Sequence, residues 1–551
     1  MLLLTLFSAT AWADPVLEAL TTELDRTMTA WEGEEDAPYY LTYRVNDYRS
    51  WSVTARHGAL SSSQENRGRI LDVSARVGSY ELDSRHAVRG GSFSDTNMHT
   101  GVSLPVDASS DALRSVIWTA TNKEISDARE AWTQVQARQI VRVEEDDTSA
   151  DFSPAEAVED LREPAEMTVN RAAWEEILRE LSASLNDHPL VYGSNASLSA
   201  RADTNYVVTS EGTQIRQPRT WLRVSLYAET RAEDGMELGL YRWKDVRAPD
   251  RLPDRELLAD WADALVDDLV DLHDAPLGEP YSGPLLLKGR AAGVFVHEVM
   301  GHRLEGHRQK DEDEGQTFRD KVGEQLLPAS VTVYDDPTLA EYAGEDLNGH
   351  YAYDEEGSPA ARASLVEDGV LQGFLMSRAP VEGYPESNGH GRAAVWRLPV
   401  ARMANTILET DDPQTYDQLV AQMRQELKAQ DREWGLMVDE IGGGFTMTGR
   451  IRPNAFNVRA TYAWRIYADG RPDELVRGVD LVGTPLVALS SVVAAGDDPA
   501  VFNGFCGAES GSVPNSAIAP TLLLRQLEIQ KKEKDSQRPP LMSKPVPEGD
   551  S

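Results

Sequence analysis

The chain predicts an α+β fold: an N-terminal α/β domain, then a strand-rich, antiparallel C-terminal domain that carries the chemically loaded helix. Three observations point there. Stretches with helical apolar period gather in the first half, whereas the second half is mostly short alternating or continuous apolar runs. Between the halves, Ala275-Pro276-Leu277-Gly278-Glu279-Pro280 is a cluster of turn residues that marks a boundary. At 551 residues the chain can also build two or three domains with cores of their own. The division is a signal peptide at 1–13, domains at 14–275 and 281–530, and a disordered tail at 531–551.

Taken in order, residues 16–31 are helical, with Leu17, Leu20, Leu24 and Met28 on one apolar face. Residues 39–82 read as strands: 40–45 and 51–55 alternate, His57-Gly58 turns, and 70–77 is a less regular run. Ser109-Ser110-Asp111 caps a long helix through Leu113, Ile117, Ile125 and Val135. Glu144-Glu145-Asp146-Asp147 reads as a solvated acidic loop. A helix at 171–185 precedes strands near 190–192, 197–200 and 206–208, and residues 220–227 alternate cleanly. The helix at 254–273 carries Asp260, Asp263, Asp267 and Asp268 on a wet face. Past the boundary, 283–288 is a buried strand leading into the next helix. Strands follow at 330–334, 373–376, 456–462 and 463–467, interrupted by one helix at 415–430. No internal repeat is present.

Charge narrows the function. A net charge of −37 and a pI near 4.6 argue against nucleic acid, because phosphate recognition wants clustered Lys and Arg. After the first dozen residues no apolar run reaches the roughly 18 needed to span a membrane. Leu2-Leu3-Leu4-Thr5-Leu6-Phe7, then Ala11-Trp12-Ala13 before Asp14, reads as a secretory signal cleaved after Ala13. Export, to the periplasm where the host has an outer membrane, is the expectation; a cytoplasmic protein whose first helix is apolar is the alternative.

The chemistry sits in His297-Glu298-Val299-Met300-Gly301-His302 and in Cys506, the single cysteine. Two imidazoles and a thiolate are the three ligands that a catalytic zinc takes while keeping one position for water. A glutamate beside the first histidine suits the general base of a zinc hydrolase. The five-residue spacing, however, turns the second ring about 140° from the first on a regular helix. A single π-type turn would bring the rings back to within about 50°, with Gly301 supplying the backbone freedom. Cys506 lies in Asn503-Gly504-Phe505-Cys506-Gly507-Ala508-Glu509-Ser510-Gly511, read as a glycine-rich turn presenting a thiolate. From these residues alone the plainer readings stay open: an ordinary histidine pair, a solvated Glu298, and a cysteine that is a small core hydrophobe.

The segment His297-Glu298-Val299-Met300-Gly301-His302-Arg303-Leu304-Glu305-Gly306 resembles the metal helix of the TldD/PmbA family of metallopeptidases. The likeness continues, in the family's order, through Tyr353-Asp354-Glu355-Glu356-Gly357, Asn388-Gly389-His390-Gly391-Arg392, Arg402-Met403-Ala404-Asn405-Thr406, Gly442-Gly443-Gly444 and Cys506-Gly507. The resemblance implies a Zn2+ ion held by His297, His302 and Cys506, with Glu298 catalytic. Inactive partner subunits of the family lack this set, so the chain is similar to the catalytic, TldD-like kind. It implies hydrolysis of unfolded peptides, drawn into a cleft as an added strand. It also implies a homodimer or a pair with a related subunit; a non-catalytic, metal-stapled peptide-binding or partner subunit is the alternative. The glycine-rich segments 442–444 and 388–391 are expected to approach substrate, with His390 and Arg392 assisting as substrate-binding residues. Where many relatives carry aspartate this chain has His307, expected at the surface.

Overall fold

The computed structural model describes residues 14–86, 101–107, 109–139, 147–311, 314–450 and 455–532. The expected signal peptide, Glu144-Glu145-Asp146 and all but the first two residues of the expected tail lie outside them. Lys531 closes a strand instead of opening a tail. No helix among the described residues is long and apolar enough to cross a membrane.

The N-terminal elements are α1 (Pro15–Trp31), β1 (Pro38–Arg56), β2 (Ala59–Val77), α2 (Ser110–Gln139), α3 (Arg171–Ser184), β3 (Gly193–Thr209), β4 (Gln214–Arg231), β5 (Glu237–Val246) and α4 (Arg255–Asp274). The strands form one antiparallel sheet ordered β2-β1-β3-β4-β5, with two short strands added at its margins. At about 3.3 Å per residue, the 19 residues of β1 span roughly 60 Å. That is long enough for two helix pairs to lie along one face. Leu41, Tyr43 and Val45 pack under α1 and α2, against Leu20, Leu24, Leu113 and Ile117. Trp51, Val53 and Ala55 continue the same period-2 face under α3 and α4, against Leu178, Leu181, Leu265 and Leu269.

The other face of this sheet is polar and meets the C-terminal domain. From β4, Arg219 donates to the Asn348 carbonyl (2.9 Å) and Arg223 to the Asn503 carbonyl (3.2 Å). Between them Trp221 meets Phe505 edge-on, at 5.2 Å.

In the C-terminal domain β6 (Tyr281–Leu287) leads directly into α5 (Gly289–Val299). Then come β7 (Val331–Asp335), β8 (Ala363–Glu367), β9 (Asn405–Thr410), α6 (Tyr416–Ala429), β10 (Trp434–Thr446), β11 (Phe456–Tyr467), β12 (Val479–Gly483), β13 (Ala500–Ala508), β14 (Gly511–Ala519) and β15 (Leu522–Lys531). Strands β10-β6-β15-β12-β11 close into a ring because β11 pairs back onto β10. A second sheet runs β8-β7-β9-β14-β13. Pairing is antiparallel apart from β6 with β10 and β9 with β14.

Helix α5 packs against strands of both sheets, and every residue of it but Arg290 is buried. Its sequence, Gly-Arg-Ala-Ala-Gly-Val-Phe-Val-His-Glu-Val, is apolar nearly all round, which only a buried helix can be. Small residues let the strands come close: a Cβ on Gly293 would lie 2.8 Å from the Ala517 carbonyl oxygen.

Several expected elements shift. The paired runs at 40–45 and 51–55, at 197–200 and 206–208, and at 456–462 and 463–467 are each one continuous strand. Residues 190–192 lie outside any strand, with Leu190 in a turn and β3 starting only at Gly193. Residues 373–376 make a single bridge, since Leu375 donates to the Leu304 carbonyl while accepting from Gly306, both at 2.8 Å. Asp147 is buried, not solvated, because its carboxylate accepts the amides of Ser149 and Glu382.

Candidate metal centre

His297 and Glu298 lie in the last turn of α5, which ends at Val299. The extra residue between the histidines is not absorbed by a π turn. The helix breaks at Met300 (φ −114°, ψ −51°) and continues as a 3-10 turn, Gly301–Leu304, that carries His302. Gly301 does not supply unusual dihedrals; a Cβ there would sit 2.0 Å from the Met403 sulfur, so its role is close packing. Arg303, buried beneath the break, donates to the Glu298 carbonyl (2.7 Å) and the Met447 carbonyl (3.0 Å). It thereby satisfies an orphan acceptor of the helix end. Cys506 corrects the expectation of a turn: it lies inside β13, opposite Val513 of β14, and the hairpin turn falls three residues later. Glycines 504 and 507 flank it within the strand.

One imidazole nitrogen from each histidine and the Cys506 sulfur lie within 4.8 Å of one another. The rings of His297 and His302 are 5.0 Å apart and nearly perpendicular, and Cys506 Sγ is 3.3 Å from His302 Nε2. All three side chains are buried. Burial pushes the Cys506 thiol up, but the two imidazoles outweigh it and hold the thiol well below its ordinary value. A thiolate and two imidazoles converging on one point form a donor set that fits zinc in type and number.

Each ligand candidate is held from behind. Asn515 contacts His297 Nδ1 at 3.1 Å. His302 Nδ1 is 3.3 Å from the carboxylate of Glu305, which also accepts from Arg308 Nε (2.8 Å) and Arg402 Nε (3.1 Å). Burial alone would raise the Glu305 pKa, yet His302, Arg308 and Arg402 bring it down to about 2. Arg402 reaches on to the Cys506 carbonyl (2.8 Å), so one fully buried guanidinium ties the support of His302 to the strand of the thiol.

Glu298 is buried beside this cluster with no hydrogen-bond partner at Oε2, and burial raises its pKa. Gly444 of β10 lies against it: a Cβ there would sit 2.8 Å from Glu298 Cγ. These groups line a cleft of about 480 Å³ together with Phe445, Phe505, His307 and Glu509.

Residues 280–531 match the PmbA/TldA metallopeptidase C-terminal domain. The C-terminal domain of the chain is thus similar to that of the TldD/PmbA metallopeptidases. A metalloprotease of Methanothermobacter thermautotrophicus is 34% identical over 234 residues, 42% of this chain and 47% of that protein. A zinc metalloprotease TldD homolog of Saccharolobus solfataricus is 22% identical over 249 residues, 45% of this chain and 51% of that one. The chain thus spans about half the length of the curated relatives it matches. TldE from Thermococcus kodakarensis has a similar fold, with a TM-score of 0.59 at 16% identity over 93% of this chain and 99% of that one.

Two expectations, substrate contact by His390 and Arg392 and a surface position for His307, are corrected by burial. His390 and Arg392 do not line the cleft. His390 is sealed between Asp335 (3.2 Å) and Asn388, and Arg392 donates to the Met403 carbonyl (2.6 Å) under the Tyr351 ring. Segment 388–391 therefore braces the domain, whereas Gly444 does reach the cleft. His307 is not at the surface: Glu305 is extended (φ −69°, ψ 112°), a second break that turns His307 inward against Glu509. Glu305 and Arg402 stand in the family-like blocks without an obvious role in sequence; Asn515 carried no signal.

Proposed function

We propose that the chain is a zinc-dependent peptidase that hydrolyses unfolded peptides or protein segments, with His297, His302 and Cys506 as metal ligands and Glu298 as general base. The observation that carries this is the convergence of two imidazoles, a thiolate-prone cysteine and an unpartnered buried carboxylate on one cleft. When bound, zinc supplies Lewis-acid polarisation of the peptide carbonyl and acidifies water toward a pKa of about 7. Glu298 takes the proton from the attacking water and returns it to the departing amine nitrogen. Its desolvated carboxylate is a stronger base than a solvated one. Glu305, Arg402 and Asn515 fix ring and strand positions so that neither ligands nor base must reorganise. We further propose a dimer, with itself or a related subunit, and export directed by residues 1–13.

Glu298→Gln preserves shape and should keep both zinc content and melting temperature while lowering cleavage of denatured peptides by at least a thousandfold. A variant that cleaves as fast as the parent would leave only a metal-stapled binding or partner subunit.

A further inference from the structure

We propose that Phe445 and Phe505 form apolar subsites beside the reacting bond, so that the cleft selects peptides bearing large apolar side chains there. The inference rests on the peptidase reading and names its substrate class. Phe445 is 52% exposed and Phe505 47%, yet both line the same cleft as His297, Glu298 and Cys506. Phenyl groups open to water inside a cleft gain by being covered, and a bound side chain can cover them.

Both rings border the cleft one residue from the chemistry: Phe445 follows Gly444, which lies against Glu298, and Phe505 precedes Cys506, each ring on the opposite strand face from that neighbour. One comes from the strand ring and the other from the second sheet, the two sheets that pack on α5. Phe505 is also braced: Trp221 meets it edge-on at 5.2 Å, and the Arg223 guanidinium lies 5.5 Å from the Trp221 ring and 5.6 Å from the Phe505 ring. A ring held this way is ready for contact without further ordering. The charged cleft residues instead serve one another. Arg308 binds Glu305, Glu314 and Glu509, so its charge is matched within the protein. The two phenyl rings are the large apolar surfaces that the cleft leaves open to a substrate side chain.

The test uses blocked hexapeptides that differ only at the two residues flanking the cleavable bond, Phe or Leu in one set and Gly or Ser in the other. The readout is the ratio of kcat/KM between the sets. The zinc-loaded parent should favour the apolar set about a hundredfold; Phe445→Ala and Phe505→Ala should each cut that ratio about tenfold, and Phe505→Leu should restore most of what Phe505→Ala loses. A merely structural role would lower both sets equally and leave the ratio unchanged, and that result overturns the proposal. Should the parent cleave neither set, the peptidase reading fails separately, and anisotropy of the same labelled peptides reads the preference. Apolar binding weakened in both alanine variants then supports the subsites, while equal binding of the two sets, or none, overturns them.

Discussion

Glu305 concentrates the electrostatics of the centre. It is fully buried with one imidazole and two guanidinium partners, and their pull outweighs its desolvation. Its pKa of about 2 lies below the ordinary 4.5, so the stability it contributes is complete above the unfolded value. That contribution is lost as pH falls from about 4.5 toward 2. Acid unfolding of the metal-free protein followed by circular dichroism should show this loss, and Glu305→Gln should flatten it. The same variant should weaken zinc affinity by about 10–100-fold, read by competition with a chromophoric chelator, because His302 loses the carboxylate that orients it. The ligand and base candidates were legible in sequence because their residue types are chemically rare together. Glu305 and Arg402 were not, since a buried carboxylate and a solvated one look alike until their partners are known.

At the scale of elements, the spacing of the two histidines said that the helix must be irregular but not how. A π bulge and a break into a 3-10 turn both absorb one residue; Arg303 and the close contact of Gly301 with Met403 favour the break. Cys506 was misread as part of a turn because three glycines and a serine cluster between residues 504 and 511. In the fold, the glycines beside it are strand positions, and Gly511 alone takes a positive φ (85°) as the hairpin closes. Gly444 tests how tightly β10 seats the base. In Gly444→Ala the new methyl meets Glu298 Cγ at 2.8 Å and must displace it. We expect kcat to fall by about 10–100-fold, as misplacing a catalytic group by a fraction of an ångström does. KM and zinc content should hold, and steady-state kinetics with elemental analysis separates these quantities.

Across the whole molecule, the long N-terminal sheet divides its duties by face. Its apolar face was legible from period-2 alternation, whereas its polar face was not recognisable as an interface, because Arg219, Trp221 and Arg223 read as ordinary surface. Trp221 and Arg223 contact the strand of Cys506, and Arg219 contacts Asn348, whose amide donates to Asn503 of that strand, so the N-terminal domain supports one lip of the cleft. A metal shared by α5, the turn after it and β13 would join segments about 200 residues apart in sequence, and its binding energy would add to stability. With free zinc at a thousand times its Kd, that linkage is about 4 kcal/mol. Calorimetry should therefore show the melting temperature falling by about 10 °C on chelation and recovering when zinc is returned.

The central claim is that His297, His302 and Cys506 grip one ion. X-ray absorption at the zinc edge of the purified, zinc-loaded protein tests it most directly. The account predicts one sulfur at about 2.3 Å and two imidazole nitrogens at about 2.0–2.1 Å. A spectrum without the sulfur shell, or one that Cys506→Ala leaves unchanged, would contradict it.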